Sequence, residues 1–465
     1  MKKDLLKDLR EGAQLTRSDQ VRLIAQLSLP AILAQLSHIV MQYIDAAMVG
    51  QLGSAQSASI GLMASSTWLL SSLCLSAVTG FTVQVAQYIG ARKERAARDA
   101  MKQGFAFAML FSVLLAAGAS ALSGRLVAWL GADVSIAADA RNYIFVYALS
   151  LPFVQLNNLS GGMLQASGNM RVPSAMQMLM CLLDVVFNAL LIFPETMVLG
   201  VRIPGAGLGV LGAALGTALA QAVTSLVLFV FLLVRPPMLR LRRGEGFSTE
   251  KKYFTRAMRI ALPIAAERMI MCSAYVMATR IVAPLGTIAI AANSFGVTAE
   301  SLCYMPGYGI SSAASTLVGQ SIGAKRDDLT ERLGRLTVAL GMMVMTVSGA
   351  MMFVFAPMMI GVMSPDPAVV ELGAQVLRIE AFAEPMFAAS IVASGVFRGA
   401  GDTLVPSLFN FISMWGVRLP LSALLAPRMG LHGVWIAMAS DIIVGGILFL
   451  IRLRGKRWMR AGTKN

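Results

Sequence analysis

Long, nearly uninterrupted apolar runs are the feature that most limits what this 465-residue chain can fold into. The runs at 105–122 and 219–234 contain few polar side chains. Apolar runs of about 20 residues have the length that crosses a bilayer as an α-helix, whereas membrane-spanning strands alternate apolar and polar residues. The sequence therefore predicts an all-α integral membrane protein.

The composition agrees, because 57% of the residues are apolar and only 14% are charged, against about 45 to 50% and about 25% in soluble domains. Twelve apolar spans are predicted, six in each half of the chain. They lie near 22–48, 57–82, 101–123, 142–165, 173–194, 207–234, 258–283, 288–318, 334–359, 374–398, 406–427 and 431–451.

The net charge of +15 predicts the topology of the chain and not a nucleic-acid partner, because the Lys and Arg residues lie at span ends. The positive-inside rule places both termini in the cytoplasm. We expect the protein in the plasma membrane, which is the inner membrane in a Gram-negative bacterium. The predicted outer side holds only Arg125, Arg141, Arg202 and Arg428. The predicted inner side collects Lys2, Lys3, Arg10, 92–95, 240–243, Lys251, Lys252, Lys325, Arg326 and the basic tail 452–464.

An internal repeat appears when the two halves are compared at a constant offset of 233 residues. A single register held over much of each half indicates duplication of one folding unit. The matched positions are Pro30 with Pro263, 52–53 with 285–286, 87–93 with 320–326, Pro152 with Pro385, Gly168 with Gly401, and Pro173 with Pro406.

Six spans return each copy to its starting side, so the two copies are expected to share one orientation as a parallel repeat. We expect two six-helix lobes, related by a pseudo-two-fold axis along the membrane normal, that work by alternating access. The predicted segments are a cytoplasmic start at 1–21, an N-lobe at 22–235, a linker at 236–255, a C-lobe at 256–451 and a cytoplasmic tail at 452–465.

Several motifs resemble those of the multidrug and toxic compound extrusion (MATE) family, and the likeness covers nearly the whole chain. They are LP at 29–30, YIDAAMVGQLG at 43–53, GNMRVP at 168–173, GAALGT at 212–217 and RGAGDT at 398–403. The resemblance implies efflux of small organic, often cationic, compounds in exchange for H⁺ or Na⁺, with no further cofactor.

The resemblance is closer to the DinF-like branch than to the NorM-like branch. The NorM-like branch carries an acidic residue in the seventh span, at a position that would fall near Met271. In this chain the acidic residue is instead Glu267, one helical turn earlier.

Charged residues inside spans indicate where ion chemistry takes place, because each costs at least about 2.5 to 3.5 kcal/mol at the helix centre unless it is paired or hydrated. Asp45 lies eight residues before Gly53, or roughly 12 Å inside its span. Asp184 and Asn188 are four residues apart on one face of the fifth span, and Thr217 lies at similar depth in the sixth. Asp45 is the predicted principal coupling carboxylate and Asp184 its partner.

Two carboxylates, an amide oxygen and a hydroxyl can share a proton or coordinate a small cation through hard oxygen atoms. Asp45, Asp184, Asn188 and Thr217 would be metal ligands if coupling uses Na⁺. The family carries Asn and then Asp on the fifth span, the reverse of Asp184 and Asn188 here, so the coordination geometry can differ. A buried hydrogen-bond network that only ties helices together is the alternative.

The second half has no acidic counterpart of Asp45, because the residue at the matching position is Ala278. Glu267, Arg280, Glu384 and Arg418 are the candidates for lining the substrate path. Glu384 and Arg418 lie at middle depth on the tenth and eleventh spans, where a structural ion pair is an equally open interpretation.

Two other functions are weighed against drug efflux. A lipid-linked precursor flippase of the same superfamily would need a strongly cationic cavity, and only Arg280 and Arg418 indicate one. A membrane enzyme would need a catalytic motif, and the sequence has none: two histidines are too few for a metal cluster, and the glycine pattern at 207–212 indicates close helix packing. The expected partners are a small organic substrate and the lipid bilayer, and the chain is expected to be a monomer.

Overall fold

The computed structural model describes residues 5–130, 133–198, 201–236, 238–240, 245–246 and 250–459. Lys2, Lys3, Lys464 and the basic residues at 241–243, which enter the topology argument, lie outside these ranges, as do parts of the predicted linker and tail.

Fifteen α-helices make up nearly all of the described chain, and the prediction of twelve transmembrane spans is confirmed. The short α1 precedes the spans, α11 and α12 together form the tenth span, and α13 and α14 with the π-helical turn Ile412–Arg418 form the eleventh. The helices are α1 (Leu5–Glu11), α2 (Arg17–Gly50), α3 (Ser54–Gly90), α4 (Glu94–Trp129), α5 (Val134–Ala166), α6 (Arg171–Ile192), α7 (Gly209–Val234), α8 (Lys251–Val282), α9 (Thr287–Gly323), α10 (Asp327–Gly361), α11 (Pro367–Ala381), α12 (Glu384–Ala400), α13 (Leu404–Phe411), α14 (Leu419–Met429) and α15 (Leu431–Arg454).

Nine spans in the described residues are long and apolar enough on their own to cross a membrane. Their outward side chains suit lipid, since Leu114, Val230 and Met358 are each more than half exposed. The remaining spans are α5, α9 and the pair α11 and α12. α9 buries residues along its whole length, so its side chains meet protein more than lipid.

Local sequence signals explain where helices begin. Before α2, the Asp19 backbone N–H donates to Thr16 Oγ1 at 3.2 Å and the Thr16 N–H donates to Asp19 Oδ2 at 3.3 Å. This reciprocal pair is a capping box, which satisfies N–H groups that the first helical turn leaves free. Before α11, Asp366 accepts from the Ala368 N–H at 2.9 Å.

The internal repeat is visible in the backbone. The two non-glycine residues with positive φ in the described chain, Arg92 (56°) and Lys325 (57°), are 233 residues apart. Left-handed backbone costs roughly 1 to 2 kcal/mol for an ordinary residue, so its recurrence at matching positions shows the same turn built twice. The glycine pairs Gly53 with Gly286 and Gly168 with Gly401 have positive φ at the same offset.

A two-stranded antiparallel hairpin is the feature that the prediction of helices alone missed. β1 (Glu195–Val198) pairs with β2 (Val201–Pro204), with Glu195 opposite Pro204. The hairpin adds residues to the first repeat after α6, which shortens the offset between the two repeats from there on. α7 begins at 209 and α15 at 431, a difference of 222. The last helix of each repeat thus falls outside the register that the sequence revealed.

The tenth span, predicted near 374–398, consists of two helices, because the chain leaves the helical conformation at Phe382 and Ala383. Pro385 lies in the first turn of α12. Proline has no N–H to donate, and its ring clashes with the preceding turn, which accounts for the break.

The chain divides into two compact units. The first comprises Met1–Leu36, Ala86–Arg92 and Leu262–Asn465, and its core includes Phe397, whose ring lies 5.9 Å from that of Phe449 and 5.7 Å from that of Trp458. The second comprises Ser37–Val85 and Lys93–Ala261. In it α3 and α8 approach closely, since a methyl group on Gly80 would lie 2.1 Å from the Ala257 carbonyl oxygen. The predicted lobe boundaries stay a prediction.

Arg452 on α15 and Asp402, before α13, form an ion pair that we expect to be essential for stability. Arg452 Nε donates to Asp402 Oδ2 at 2.7 Å, and Asp402 is 5% exposed. Removing one partner of a buried pair costs about 3 to 5 kcal/mol, and partial exposure of Arg452 favours the lower end. Arg452→Met should therefore lower the melting temperature of the solubilised protein. The double variant Arg452→Met with Asp402→Asn should recover part of the loss, and a double variant no more stable than the single one would contradict this role.

Candidate functional site

The structure brings Asp45, Asp184 and Asn188 together inside the second unit. Asn188 and Asp184 lie on α6, and Asp45 lies on α2. Asn188 Nδ2 donates to Asp45 Oδ1 at 3.0 Å and to Asp184 Oδ2 at 3.1 Å. One amide group thus bridges two carboxyl groups from different helices.

Thr217 on α7 completes the predicted set. Its hydroxyl lies near the Asp184 carboxyl group. The carboxyl groups of Asp45 and Asp184 are close to each other, because both accept from the one Asn188 amide group. Two carboxylates at such a distance would repel, and a shared proton or a bound cation would stabilise the pair.

Unused acceptor atoms remain in this cluster. Asp184 is 0% exposed and Asn188 1% exposed. Within the described residues, Asp184 Oδ1 and Asn188 Oδ1 are buried without a hydrogen-bond partner. A buried acceptor without a donor is costly, and a proton or a small cation would satisfy both oxygens. The set offers only two carboxylates, and groups of three or more His, Cys, Asp or Glu that could hold a metal are not found in the described chain.

Small residues on α7 let it approach α6 at the cluster. A methyl group on Gly216 would lie 2.1 Å from Asn188 Oδ1 and 3.0 Å from the Asn188 backbone nitrogen. A methyl group on Gly212, one turn earlier, would lie 2.4 Å from the Leu191 carbonyl oxygen. Glycines four residues apart permit close packing of membrane helices. Gly216 therefore sets the position of the bridging amide.

Sequence reasoning missed two neighbours of this cluster. His38 lies seven residues before Asp45 on α2 and interacts electrostatically with Asp184, and its Nδ1 is buried without a partner in the described residues. Tyr143 on α5 interacts electrostatically with both carboxyl groups. The seven-residue spacing, which returns to the same helix face, was the signal available for His38.

The candidates of the second half do not form one site. Glu267 on α8 accepts from Ser407 Oγ at 2.5 Å and from Asn410 Nδ2 at 2.8 Å, so each of its carboxyl oxygens accepts a hydrogen bond. Arg280 is exposed near the end of α8. Neither feature separates a structural role from a place on the substrate path.

Glu384 and Arg418 do not make the ion pair that was one of the two interpretations. Arg418 Nη2 donates to Met438 Sδ at 2.7 Å. Glu384 and Glu380 are both 0% exposed, and no carboxyl oxygen of either has a hydrogen-bond partner in the described residues. Glu300, which sequence reasoning overlooked, is 5% exposed and interacts electrostatically with both. Its position inside the eighth span was the signal that could have found it.

Paired acids buried within a bundle of twelve membrane spans define a transporter. The sequence profile of the MatE family matches residues 30–190 and 263–424, which start 233 residues apart, as the repeat does. Since this match covers more than half of the chain, the chain belongs to the MatE family. It is a transporter and not an enzyme, and the predicted family and the efflux function are confirmed. The DinF-like branch and the coupling ion stay predictions.

Relatives of similar length include two proteins described as probable multidrug resistance protein NorM. The one from Thermotoga maritima is 26% identical over 446 residues, which cover 94% of this chain and 92% of the relative. The one from Chromobacterium violaceum is 24% identical over 468 residues, which cover 98% and 99%.

Solved structures share the fold. The outward-facing conformation of a multidrug resistance MATE family transporter of the MOP superfamily has a TM-score of 0.89 at 19% identity, with full coverage of both chains. A MOP superfamily transporter from Pyrococcus furiosus gives the same values. The fold of this chain is therefore that of MATE transporters, with twelve transmembrane helices in two six-helix lobes.

Gly216→Ala tests whether the close approach of α7 is needed at the cluster. The added methyl group should push the Asn188 amide away from the two carboxyl groups, and we expect efflux driven by an ion gradient to fall sharply in vesicles. Gly118→Ala on α4 is the control, because nothing lies within 4 Å of a methyl group there. Equal efflux by the two variants would show that the cluster tolerates the displacement.

Proposed function

We propose that this transporter exports small organic, often cationic, compounds in exchange for H⁺ or Na⁺, with Asp45 and Asp184 as the coupling pair. The observation that carries this proposal is the Asn188 amide group that bridges two carboxyl groups, with two buried oxygen atoms left unbonded. No lysine or arginine of the described residues forms a hydrogen bond or salt bridge with either carboxyl group. Such a cluster can bind a proton or a small cation.

Coupling follows if the cation binds one conformation more tightly than the other. A ligand shifts a conformational equilibrium only by the difference between its affinities for the two states. Asp45 and Asp184 come from different helices, so a change in the packing of α2 against α6 would separate the two carboxyl groups. The state in which they touch would then hold the cation best, and release would accompany the change of state.

The chemistry of the second half supports an organic cation as cargo. Its fully buried charged side chains in the described residues are all acidic, namely Glu300, Glu380, Glu384, Asp402 and Asp441, whereas Arg268, Arg398 and Arg418 are half-buried. Aromatic rings accompany them: the Tyr304 ring lies 6.0 Å from that of Tyr308 and 5.3 Å from that of Phe387. Acids and aromatic faces both attract organic cations.

A flippase for lipid-linked precursors is less well supported. Its anionic cargo would favour an excess of buried Arg and Lys, and the acidic excess of the second half is the reverse. Glu267, Arg280, Glu384 and Arg418 stay proposed substrate-path residues, and the two unbonded buried glutamates make Glu384 the strongest of them.

Asp45→Asn tests the coupling role, because it keeps the shape of the side chain and removes its charge. We expect normal membrane insertion and near-normal substrate binding, but loss of gradient-driven efflux in vesicles in which H⁺ and Na⁺ gradients are imposed separately. Asp184→Asn should give a milder defect, since an Asn in this arrangement is closer to the family pattern. Uphill efflux by Asp45→Asn at the wild-type rate would disprove the assignment.

The charge distribution also supports a plasma-membrane protein with both termini in the cytoplasm. In a background without the native cysteines, Lys251→Cys should resist an impermeant thiol reagent added to intact cells, and Arg125→Cys should react. Both side chains are exposed in the structure, so access to the reagent depends on the side of the membrane. Labelling in the opposite pattern would reverse the topology.

A further inference from the structure

The ends of α3 and α9 meet in a contact that is built the same way from both sides. A methyl group on Gly90 would lie 2.0 Å from the Gln320 carbonyl oxygen, and one on Gly323 would lie 2.0 Å from the Gln87 carbonyl oxygen. Gly90 corresponds to Gly323, and Gln87 to Gln320, at the repeat offset of 233. A contact in which each residue meets the counterpart of its own partner has local two-fold symmetry.

These residues form a seam in which the backbones of the two helix ends are in direct contact. One helical turn further in, Ala86 packs on Gly319, where a methyl group would lie 2.9 Å from the Ala86 side chain. Gln87 Nε2 also donates to the Gly399 carbonyl oxygen at 3.0 Å. No passage for a substrate remains between two helix ends that approach this closely.

The N-terminal segment 5–15, here called the strap, lies against this seam. Leu9 of α1 is 0% exposed. Arg10 Nε donates to Gln320 Oε1 at 3.1 Å, and Arg326 Nη1 donates to the Ala13 carbonyl oxygen at 2.6 Å. These two bonds join the strap, which precedes the first repeat and is continuous with it through α2, to the end of α9 and the turn after it, which belong to the second repeat.

A different contact holds the strap to its own repeat. Arg92, which follows α3, pairs with Glu11 at 3.6 Å. Both side chains are about half exposed, so the pair contributes little to stability. The strap thus contacts the end of α3 as well as the end of α9.

The connection between the strap and α2 is well defined. Gly12 has a φ of 83° and the Ala13 N–H donates to the Asp8 carbonyl oxygen at 3.0 Å, which ends α1. Gln20 Nε2 then donates to the Leu15 carbonyl oxygen at 3.0 Å at the start of α2. A movement of this end of α2 is therefore transmitted to the strap.

We propose that the strap is a latch, which holds the end of α9 against the end of α3 and has to leave α9 whenever this side of the transporter opens. The latch rests on the proposed function, since opening on this side is a step of alternating access. The contact between Glu11 and Arg92 stays intact during the step, because it joins the strap to the end of α3 and does not cross the seam.

Two thiol pairs test the latch in a variant whose native cysteines, Cys74, Cys181, Cys272 and Cys303, are replaced. Arg10→Cys with Gln320→Cys places thiols across the seam, and Glu11→Cys with Arg92→Cys places them within the first repeat. Each pair is linked in vesicles by a short, reducible bis-thiol reagent. Linking the first pair should abolish gradient-driven efflux, and reduction should restore it. The second pair is the matched control and should pump when linked.

Three outcomes would overturn the latch. Efflux by the linked first pair at its unlinked rate would show that the strap need not leave α9. Failure of that pair to link would show that the strap does not lie on α9. Equal inhibition by both pairs would show that tethering the strap anywhere is harmful. Absence of gradient-driven efflux from the wild-type protein in the same vesicles would instead refute the proposed function.

Discussion

A charge inside a bilayer must be neutralised by the protein or by a bound ion, and this constraint shapes both the sequence and the site. It confines most Lys and Arg residues to span ends and makes every acid within a span a costly exception. Asp184 is completely buried, and the amide group of Asn188, which donates to it, carries no charge. In the proposed mechanism, a proton or a cation compensates the charge of this cluster.

The repeat shows how one backbone can hold two different polar interiors. Asp45 and Asp184 correspond to Ala278 and Val417 at the offset of 233. The acids of the second half likewise correspond to apolar or uncharged residues of the first half, as Glu384 corresponds to Leu151. Duplication fixed the helices and turns, and the two halves then acquired separate sets of charges.

Gly216 allows the bridging amide to fit between α6 and α7. A methyl group on Gly216 would lie 2.1 Å from Asn188 Oδ1. The bare α-carbon therefore lets Asn188 lie against α7 and reach both carboxyl groups.

Much of the fold could be predicted from the sequence because apolar length and charge at span ends are local signals. The repeat added long-range information, since matching prolines and glycines mark matching turns. The cluster of Asp45 and Asp184 was predictable because both acids lie at similar depth in apolar spans.

What escaped prediction depends on tertiary contacts. The hairpin after α6 is short and lies outside the spans. The break before Glu384 follows from Pro385, but the corresponding Pro152 lies within the unbroken α5, so proline alone does not forecast a break. His38 and Glu300 interact with residues on other helices, and the sequence alone does not show which residues become neighbours.

α2 connects the ion cluster to the N-terminal segment, and this connection gives coupling a mechanical route. Its part up to Leu36 belongs to the first compact unit, and its part from Ser37 belongs to the second, which contains Asp45. Pro30 lies inside the helix near this division, and a proline there removes one backbone hydrogen bond and permits bending. In the proposed mechanism, a cation that holds Asp45 against α6 also holds one end of a helix whose other end is connected to the strap. Release of the cation would free that end, so the proposed ion binding and the proposed latch involve one continuous helix.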